Sequence, residues 1–169
     1  MEWRGRVDDM GDAIRRAQTL GAIFHSTYAF EDRVYFLPNE TSLEKGYIRL
    51  RSPNMMSEPQ EPFVITKKMR HHGEMVEWYR SRFSSLERGK EALKGLWLAC
   101  IIARRGKAFS IPEGKLFMEE IEEFGNSIEV DTASSSIGKE WLEKLGATRI
   151  SAQSMPLQFM LHQNGKKEE

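Results

Sequence analysis

The sequence predicts an α+β domain built on a mostly antiparallel sheet that closes, or nearly closes, on itself. Three observations carry that expectation. Short strands with charge at every second residue recur, as in Glu2-Trp-Arg4-Gly-Arg6, Arg49-Leu-Arg51 and Glu129-Val-Asp131. Strand-like segments follow one another with few helices long enough to serve as crossovers, which favours antiparallel neighbours. A strand, a helix and several strands are then followed by the same order again, a pseudo-repeat of two halves. Closing the sheet would remove its unpaired edges and enclose a lumen able to hold polar side chains.

Each element has a local reason. Glu2–Val7 reads as a short strand. Asp8-Asp9 offers capping groups for a helix over Met10–Leu20, with Ile14, Ala17 and Leu20 on its buried side and Gly21 as its stop. Phe24–Phe30 and Arg33–Leu37 read as strands before the Pro38-Asn39 turn. Tyr47–Arg51 is a strand, followed by a polar loop to Pro62. Phe63–Met69 is extended, His71-His-Gly73 is a turn, and Glu74–Phe83 is a strand. Ser84 and Ser85 precede a helix over Leu86–Lys94, closed by Gly95. Leu96–Ala103, Lys107–Ile111, Lys115–Phe124 and Ser127–Asp131 follow as strands. Ser134-Ser-Ser136 caps a helix over Ile137–Leu145, ended by Gly146, and the stretch from Arg149 to Leu161 holds a last strand. Residues 1–164 read as a single domain and 165–169 as a polar tail.

Composition narrows the function classes. The chain has 169 residues, 40% hydrophobic and 30% charged, with 25 acids balancing 25 bases. Zero net charge argues against a strongly basic nucleic-acid binder, although local patches survive the averaging. The single cysteine, Cys100, lies in the apolar run Leu96–Ile102 and is expected to be a buried, inert thiol. One cysteine forms no internal bridge, which fits a reducing, cytoplasmic setting. No apolar stretch reaches the ~18 residues needed to cross a bilayer, and MEWRGRVDD does not read as a signal peptide.

Residues i and i+2 of a strand share a face. Glu129 and Asp131 are therefore the leading metal candidates, since paired hard oxygen ligands suit Mg2+ or Mn2+. Glu2 supplies a third carboxylate should its strand neighbour theirs, and Glu119 a fourth. Arg4, Arg6, Arg49, Arg51, Lys67 and Arg105 are the basic candidates, because guanidinium forks match phosphate oxygens. In Lys67-Lys68 and Arg104-Arg105 adjacent residues face opposite ways, and the pattern alone prefers Lys67 and Arg105. A salt-bridged solvent face remains the alternative. His71-His72 lacks partners at metal-binding spacing, and Trp78, Tyr79, Phe83, Trp97 and Trp141 read as packing residues. Neither a glycine-rich phosphate loop nor a dinucleotide fingerprint is present.

Taken together these motifs resemble the CYTH domain, the triphosphate tunnel family that includes class IV adenylate cyclases and thiamine triphosphatases. Glu2-Trp-Arg4-Gly-Arg6-Val-Asp-Asp is similar to the end of its Glu-x-Glu-x-Lys opening strand. Leu20-Gly-Ala22 resembles its helix exit and Glu31-Asp-Arg-Val-Tyr-Phe36 its acid-led aromatic strand. Gly46-Tyr-Ile-Arg49-Leu-Arg51 resembles its Leu-Arg-x-Arg strand. Thr66-Lys67-Lys68 resembles Thr-Tyr-Lys, which moves weight onto Lys68. Glu119 to Asp131 is similar to its long acidic signature and is the strongest match.

The resemblance implies a closed antiparallel barrel of about eight strands, the triphosphate tunnel, with helices packed outside. It implies that Glu2, Glu129 and Asp131, with Glu119, face Mg2+ or Mn2+. It implies that Arg4, Arg49, Arg51 and a lysine at 67 or 68 face a triphosphate-containing small molecule, with Glu2 and Arg4 at the catalytic centre. The implied chemistry is phosphoryl or nucleotidyl transfer, adenylate cyclase-like on ATP, with thiamine or inorganic triphosphatase and a non-catalytic polyphosphate-binding protein as alternatives. Family habit and exposed-helix aromatics suggest a homodimer, with no membrane or nucleic-acid partner. The chain departs from the pattern in three places. The family's first glutamate would fall before Met1, Arg4 stands for a lysine, and Ala103 stands two before Arg105 where a lysine is usual.

Overall fold

The structure is a computed structural model describing residues 1–56 and 62–168. In chain order it comprises β1 (Glu2–Arg6), α1 (Met10–Thr19), β2 (Ile23–Tyr35), β3 (Gly46–Arg51), β4 (Phe63–His71), β5 (Glu74–Phe83), α2 (Leu86–Ala92), β6 (Leu98–Ile111), β7 (Gly114–Ile121), β8 (Gly125–Thr132), α3 (Ser135–Lys144), β9 (Thr148–Ser151) and α4 (Met155–Glu168). Among the described residues these strands form one nine-stranded sheet in the order β5-β4-β3-β2-β6-β7-β8-β1-β9.

That order corrects the expected closed eight-stranded barrel: the sheet has nine strands and is open, with β5 and β9 at its two edges. A closed barrel would protect the sheet edges, yet both edges are protected by other means. β9 is only four residues long and pairs with β1 through a register shift between Arg4 and Arg6. β5 carries Glu74, Glu77, Arg80 and Arg82 along its length. Shortness, irregularity and charge each discourage edge-to-edge pairing. The segment expected as one last strand divides into β9 and α4. Met155, Leu157 and Phe159 alternate like a strand, yet the first turn of α4 is buried nearly all round, and Pro156 is tolerated there. Two further pairs of expected strands are each one long strand, β2 and β6.

The chain divides into two compact units, one of residues Met1–Tyr28 and Arg104–Gln153, the other of Ala29–Ala103 and Ser154–Glu169. In the first unit, α1 starts at Asp9, whose Oδ1 accepts the Asp12 amide at 3.0 Å, and stops before Gly21, which holds φ 95°. Ala13 and Ala17 are its buried contacts and Ile14 packs beside them, while Leu20 is exposed. α1 and α3 cover one sheet face, burying Phe109, Leu116, Met118, Ile128 and Val130 against Trp141, Leu142 and Leu145. Each such fully buried side chain contributes about 1.5–3 kcal/mol.

In the second unit, α2 starts at Ser85, whose Oγ accepts the Arg88 amide. Leu86 and Leu93 at its ends pack on Tyr35, Leu50 and Ile65, with Ile48, Phe63 and Phe83 around them. The apolar run that was expected to bury Cys100 is only partly covered: Trp97 is 80% exposed, Leu98 and Ile101 are exposed, and Cys100 is half-buried. Trp78 and Tyr79 are likewise exposed, not packing residues. No helix of the described residues is long and apolar enough to cross a membrane.

Candidate functional site

Antiparallel register decides which side chains share a face, because directly opposed residues lie on the same side of the sheet. In the first unit Glu2 opposes Asp131, Arg4 opposes Glu129 and Arg6 opposes Ser127. Across the next ladder Lys115 opposes Asp131, Phe117 opposes Glu129 and Glu119 opposes Ser127. Gly106 then opposes Glu119, with Arg104 opposite Ile121. All of these lie on the face turned away from α1 and α3, since the alternate residues Leu116, Met118, Ile128 and Val130 form the core beneath the helices. One side of the sheet is thus apolar and helix-covered, and the other is ionic.

The charges on that ionic face are deeply placed. Arg4, Arg104, Glu119 and Glu129 are all less than a tenth exposed. Arg4 Nη2 pairs with Glu129 Oε2, while Arg4 Nη1 is buried with no hydrogen-bond partner among the described residues. Burial raises the Glu129 carboxyl above its ordinary range; the Arg4 charge opposes that shift and the neighbouring Glu2 and Glu119 add to it. Glu119 accepts from neighbouring side chains. Tyr28 Oη donates to Oε1 at 2.7 Å and Arg104 Nη1 donates to Oε2 at 3.2 Å. Burial, reinforced by the Glu119 charge, pushes the Tyr28 phenol far above its ordinary value, so it stays a donor at neutral pH.

Gly106 makes room for this network. A Cβ there would lie 2.6 Å from Met118 O, 2.8 Å from Tyr28 Oη and 3.0 Å from Glu119 Cγ. Gly106→Ala is therefore expected to destabilise the chain by about 1–3 kcal/mol, the usual cost of overpacking. Urea denaturation measures it. Tyr28→Phe removes the hydroxyl from that contact and is expected to recover part of the loss.

Glu2 and Asp131 differ from the buried acids. Glu2 is exposed, and the Asp131 side chain is 45% exposed with Oδ1 3.1 Å from the Met1 amino group. Among the described residues no group of three or more histidines, cysteines or acids could hold a metal ion. Two opposed, accessible carboxylates nonetheless match the way Mg2+ is usually held, by one or two carboxylates together with substrate phosphates and water.

The second unit has its own ionic face. Arg49 opposes Val34 and Arg51 opposes Asp32. On the other side Tyr47 opposes Lys68, Arg49 opposes Thr66 and Arg51 opposes Val64. Arg51 is committed to structure. Its Nε and Nη2 donate to the fully buried Asp32 at 2.7 and 2.8 Å, and its guanidinium lies 3.8 Å from the Phe30 ring centroid. Arg49 is 9% exposed.

The adjacent pairs that the sequence left ambiguous are separated by register. Lys68 shares the face of Arg49, whereas Lys67 opposes Ile48 and Tyr79 on the face that packs α2. Arg104 lies on the ionic face; Arg105 lies on the opposite face, its side chain 79% exposed and 3.8 Å from Glu120. Arg6 donates to Phe124 O and its guanidinium lies 4.1 Å from the Phe124 ring centroid, which anchors it at the β7–β8 turn. Sequence reasoning missed Tyr28 and preferred Arg105 to Arg104. Gly106 was the available signal, since a glycine inside a strand often marks a close approach.

No protein-family model and no curated protein matches the sequence. Solved structures do. The PH1819 protein from Pyrococcus horikoshii OT3 superposes with a TM-score of 0.79 at 16% identity, over 99% of each chain. The PH1012 protein from the same organism gives 0.69 at 21% identity, over 92% of this chain and 96% of that one. A candidate adenylyl cyclase from Hippeastrum, described with a dominant triphosphatase activity, gives 0.64 at 15% identity over 98% and 96%. The chain shares the fold of these structures. At these identities the likeness concerns the fold alone.

Proposed function

We propose that this chain is a CYTH protein that binds a triphosphate-bearing small molecule and carries out metal-assisted phosphoryl or nucleotidyl transfer on it. The observation that carries the reading is the buried charge on the sheet faces turned away from the cores, with Arg4, Arg49, Arg104, Glu119 and Glu129 all less than a tenth exposed. Buried ionisable groups are costly, and a hydrophobic replacement is often as stable or more so, which makes such groups functional candidates.

Each unit by itself offers groups suited to such a ligand. In the first, Glu2 and Asp131 would hold Mg2+ or Mn2+, which when bound supplies Lewis-acid neutralisation of phosphate charge. Glu129 holds the Arg4 guanidinium in place, and Arg4 Nη1, without a partner among the described residues, is a donor for charge developing on a transferring phosphoryl group. Tyr28 and Arg104 fix Glu119. In the second unit, Arg49 and Lys68 offer donors to phosphate oxygens.

The preferred reaction is cyclase-like, with attack by the ribose 3′-hydroxyl of ATP and release of pyrophosphate. The second reading is hydrolysis of a triphosphate by water, favoured by the triphosphatase activity described for the Hippeastrum protein. Incubation of the purified chain with ATP, thiamine triphosphate and tripolyphosphate, with and without Mg2+ or Mn2+, tests both. Cyclic AMP is the expected product from ATP, and phosphate release in its place selects hydrolysis. Binding without turnover would reduce the protein to a polyphosphate binder, and no binding of any of the three would overturn the proposal.

A further inference from the structure

A β-bulge on the edge strand brings charged side chains together in the second unit. β4 and β5 pair with Thr66 opposite Arg80 and Lys67 opposite Tyr79, but Lys68 then opposes Glu77, so the ladder skips Trp78. Without the bulge Trp78 would stand on the face of Thr66 and Lys68. With it, Glu77 takes that place. Bulges of this kind re-aim side chains and are frequent beside functional sites.

The result is one carboxylate among three cations. Arg80 Nε and Nη2 donate to Glu77 Oε1 and Oε2 at 2.6 and 3.3 Å. Lys68 is directly opposite, and Arg49 opposes Thr66 from the other neighbouring strand. The hydrogen bond from Arg80, with the Arg80, Lys68 and Arg49 charges adding, holds the Glu77 carboxyl below its ordinary range despite some desolvation. Between Arg49 and Arg80 in register lies Thr66, 1% exposed, with an Oγ1 that has no hydrogen-bond partner among the described residues. A buried hydroxyl left unsatisfied costs stability, and one flanked in register by two guanidiniums is placed to donate to an anion. The Arg80 and Glu77 side chains are 52% and 35% exposed, so a ligand from solvent reaches them.

We propose that Glu77 is a resident counterion, holding the place of a phosphate group over Thr66 and giving it up when a phosphorylated ligand binds. The Thr66 hydroxyl then donates to a phosphate oxygen, and Arg80, Lys68 and Arg49 transfer their charge from the carboxylate to the ligand. The proposal rests on the triphosphate reading and adds to it two residues, Thr66 and Glu77, with opposite expected effects. Ordinary site residues lower affinity when removed, whereas a competing internal anion raises it.

Isothermal titration of the full chain with tripolyphosphate, with and without Mg2+, is the test. Glu77→Gln is expected to tighten binding about twofold to fivefold, the range a partly exposed ion pair is worth. Thr66→Val is expected to weaken it about tenfold, the loss of one hydrogen bond to a charged group. The melting temperature of Thr66→Val should be unchanged or higher, because the deleted hydroxyl has no partner among the described residues; a merely structural threonine would show the reverse. Glu74→Gln, on the same strand at the His71 end, is the control for net charge and should leave affinity unchanged. Native binding with Glu77→Gln no tighter, or Glu74→Gln equally tighter, would overturn the counterion and leave the triphosphate reading standing. Absence of binding by the native chain and by Glu77→Gln alike would overturn both.

Discussion

Glu119→Ala is expected to lower the unfolding free energy by about 3–5 kcal/mol, the loss typical when one partner of a buried ion pair is removed. Glu119 is 4% exposed and accepts from both Tyr28 and Arg104, itself 6% exposed. The alanine takes away the carboxylate that both donors use and leaves the Arg104 charge in place. Urea denaturation at an unchanged m-value would report the full loss as a lower midpoint. Glu119→Leu combined with Arg104→Met should lose less than Glu119→Ala, since it deletes both charges and substitutes apolar volume. A loss under about 0.5 kcal/mol for Glu119→Ala would place it with ordinary surface substitutions and contradict the buried network.

Glu2→Gln with Asp131→Asn is expected to cut metal-dependent turnover by roughly 10²–10³-fold, equivalent to the several kcal/mol of charge stabilisation a bound metal supplies. Folding should hardly change. Glu2 is exposed, Asp131 is 45% exposed by side chain, and its ion pair with the Met1 amino group is of the surface kind that contributes about 0–1 kcal/mol. Turnover across a Mg2+ series, beside thermal melts of both proteins, separates the two effects. Full activity at ordinary Mg2+ concentration would remove these carboxylates from the metal role.

The contrast between these two experiments follows from what a sequence displays. Period-two alternation was legible wherever a strand kept strict parity, so Glu2 with Arg4, Arg49 with Arg51 and Glu129 with Asp131 were each seen to share a face. The register that sets Glu2 opposite Asp131 was not legible, because nothing local to either strand encodes the pairing. Lys67 and Lys68 could not be separated because adjacent residues take opposite faces and only the β3–β4 register says which is which. Arg104 and Arg105 were ambiguous for the same reason, since two expected strands are one continuous β6 and its parity carries through from Phe109 and Ile111 in the core. The closed barrel failed on edges. Charge along β5 and the brevity of β9 do locally what closure would have done globally. α4 escaped because its buried first turn imitates a strand's alternation.

Equilibrium dialysis of the native chain against Mg2+ and tripolyphosphate, beside Arg49→Ala checked for native circular dichroism, tests most directly whether the buried charges serve a ligand. The expected result is saturable uptake of one tripolyphosphate per chain, strongly weakened in Arg49→Ala. No saturable uptake, or uptake indifferent to Arg49, would mean that the ionic faces only brace the fold.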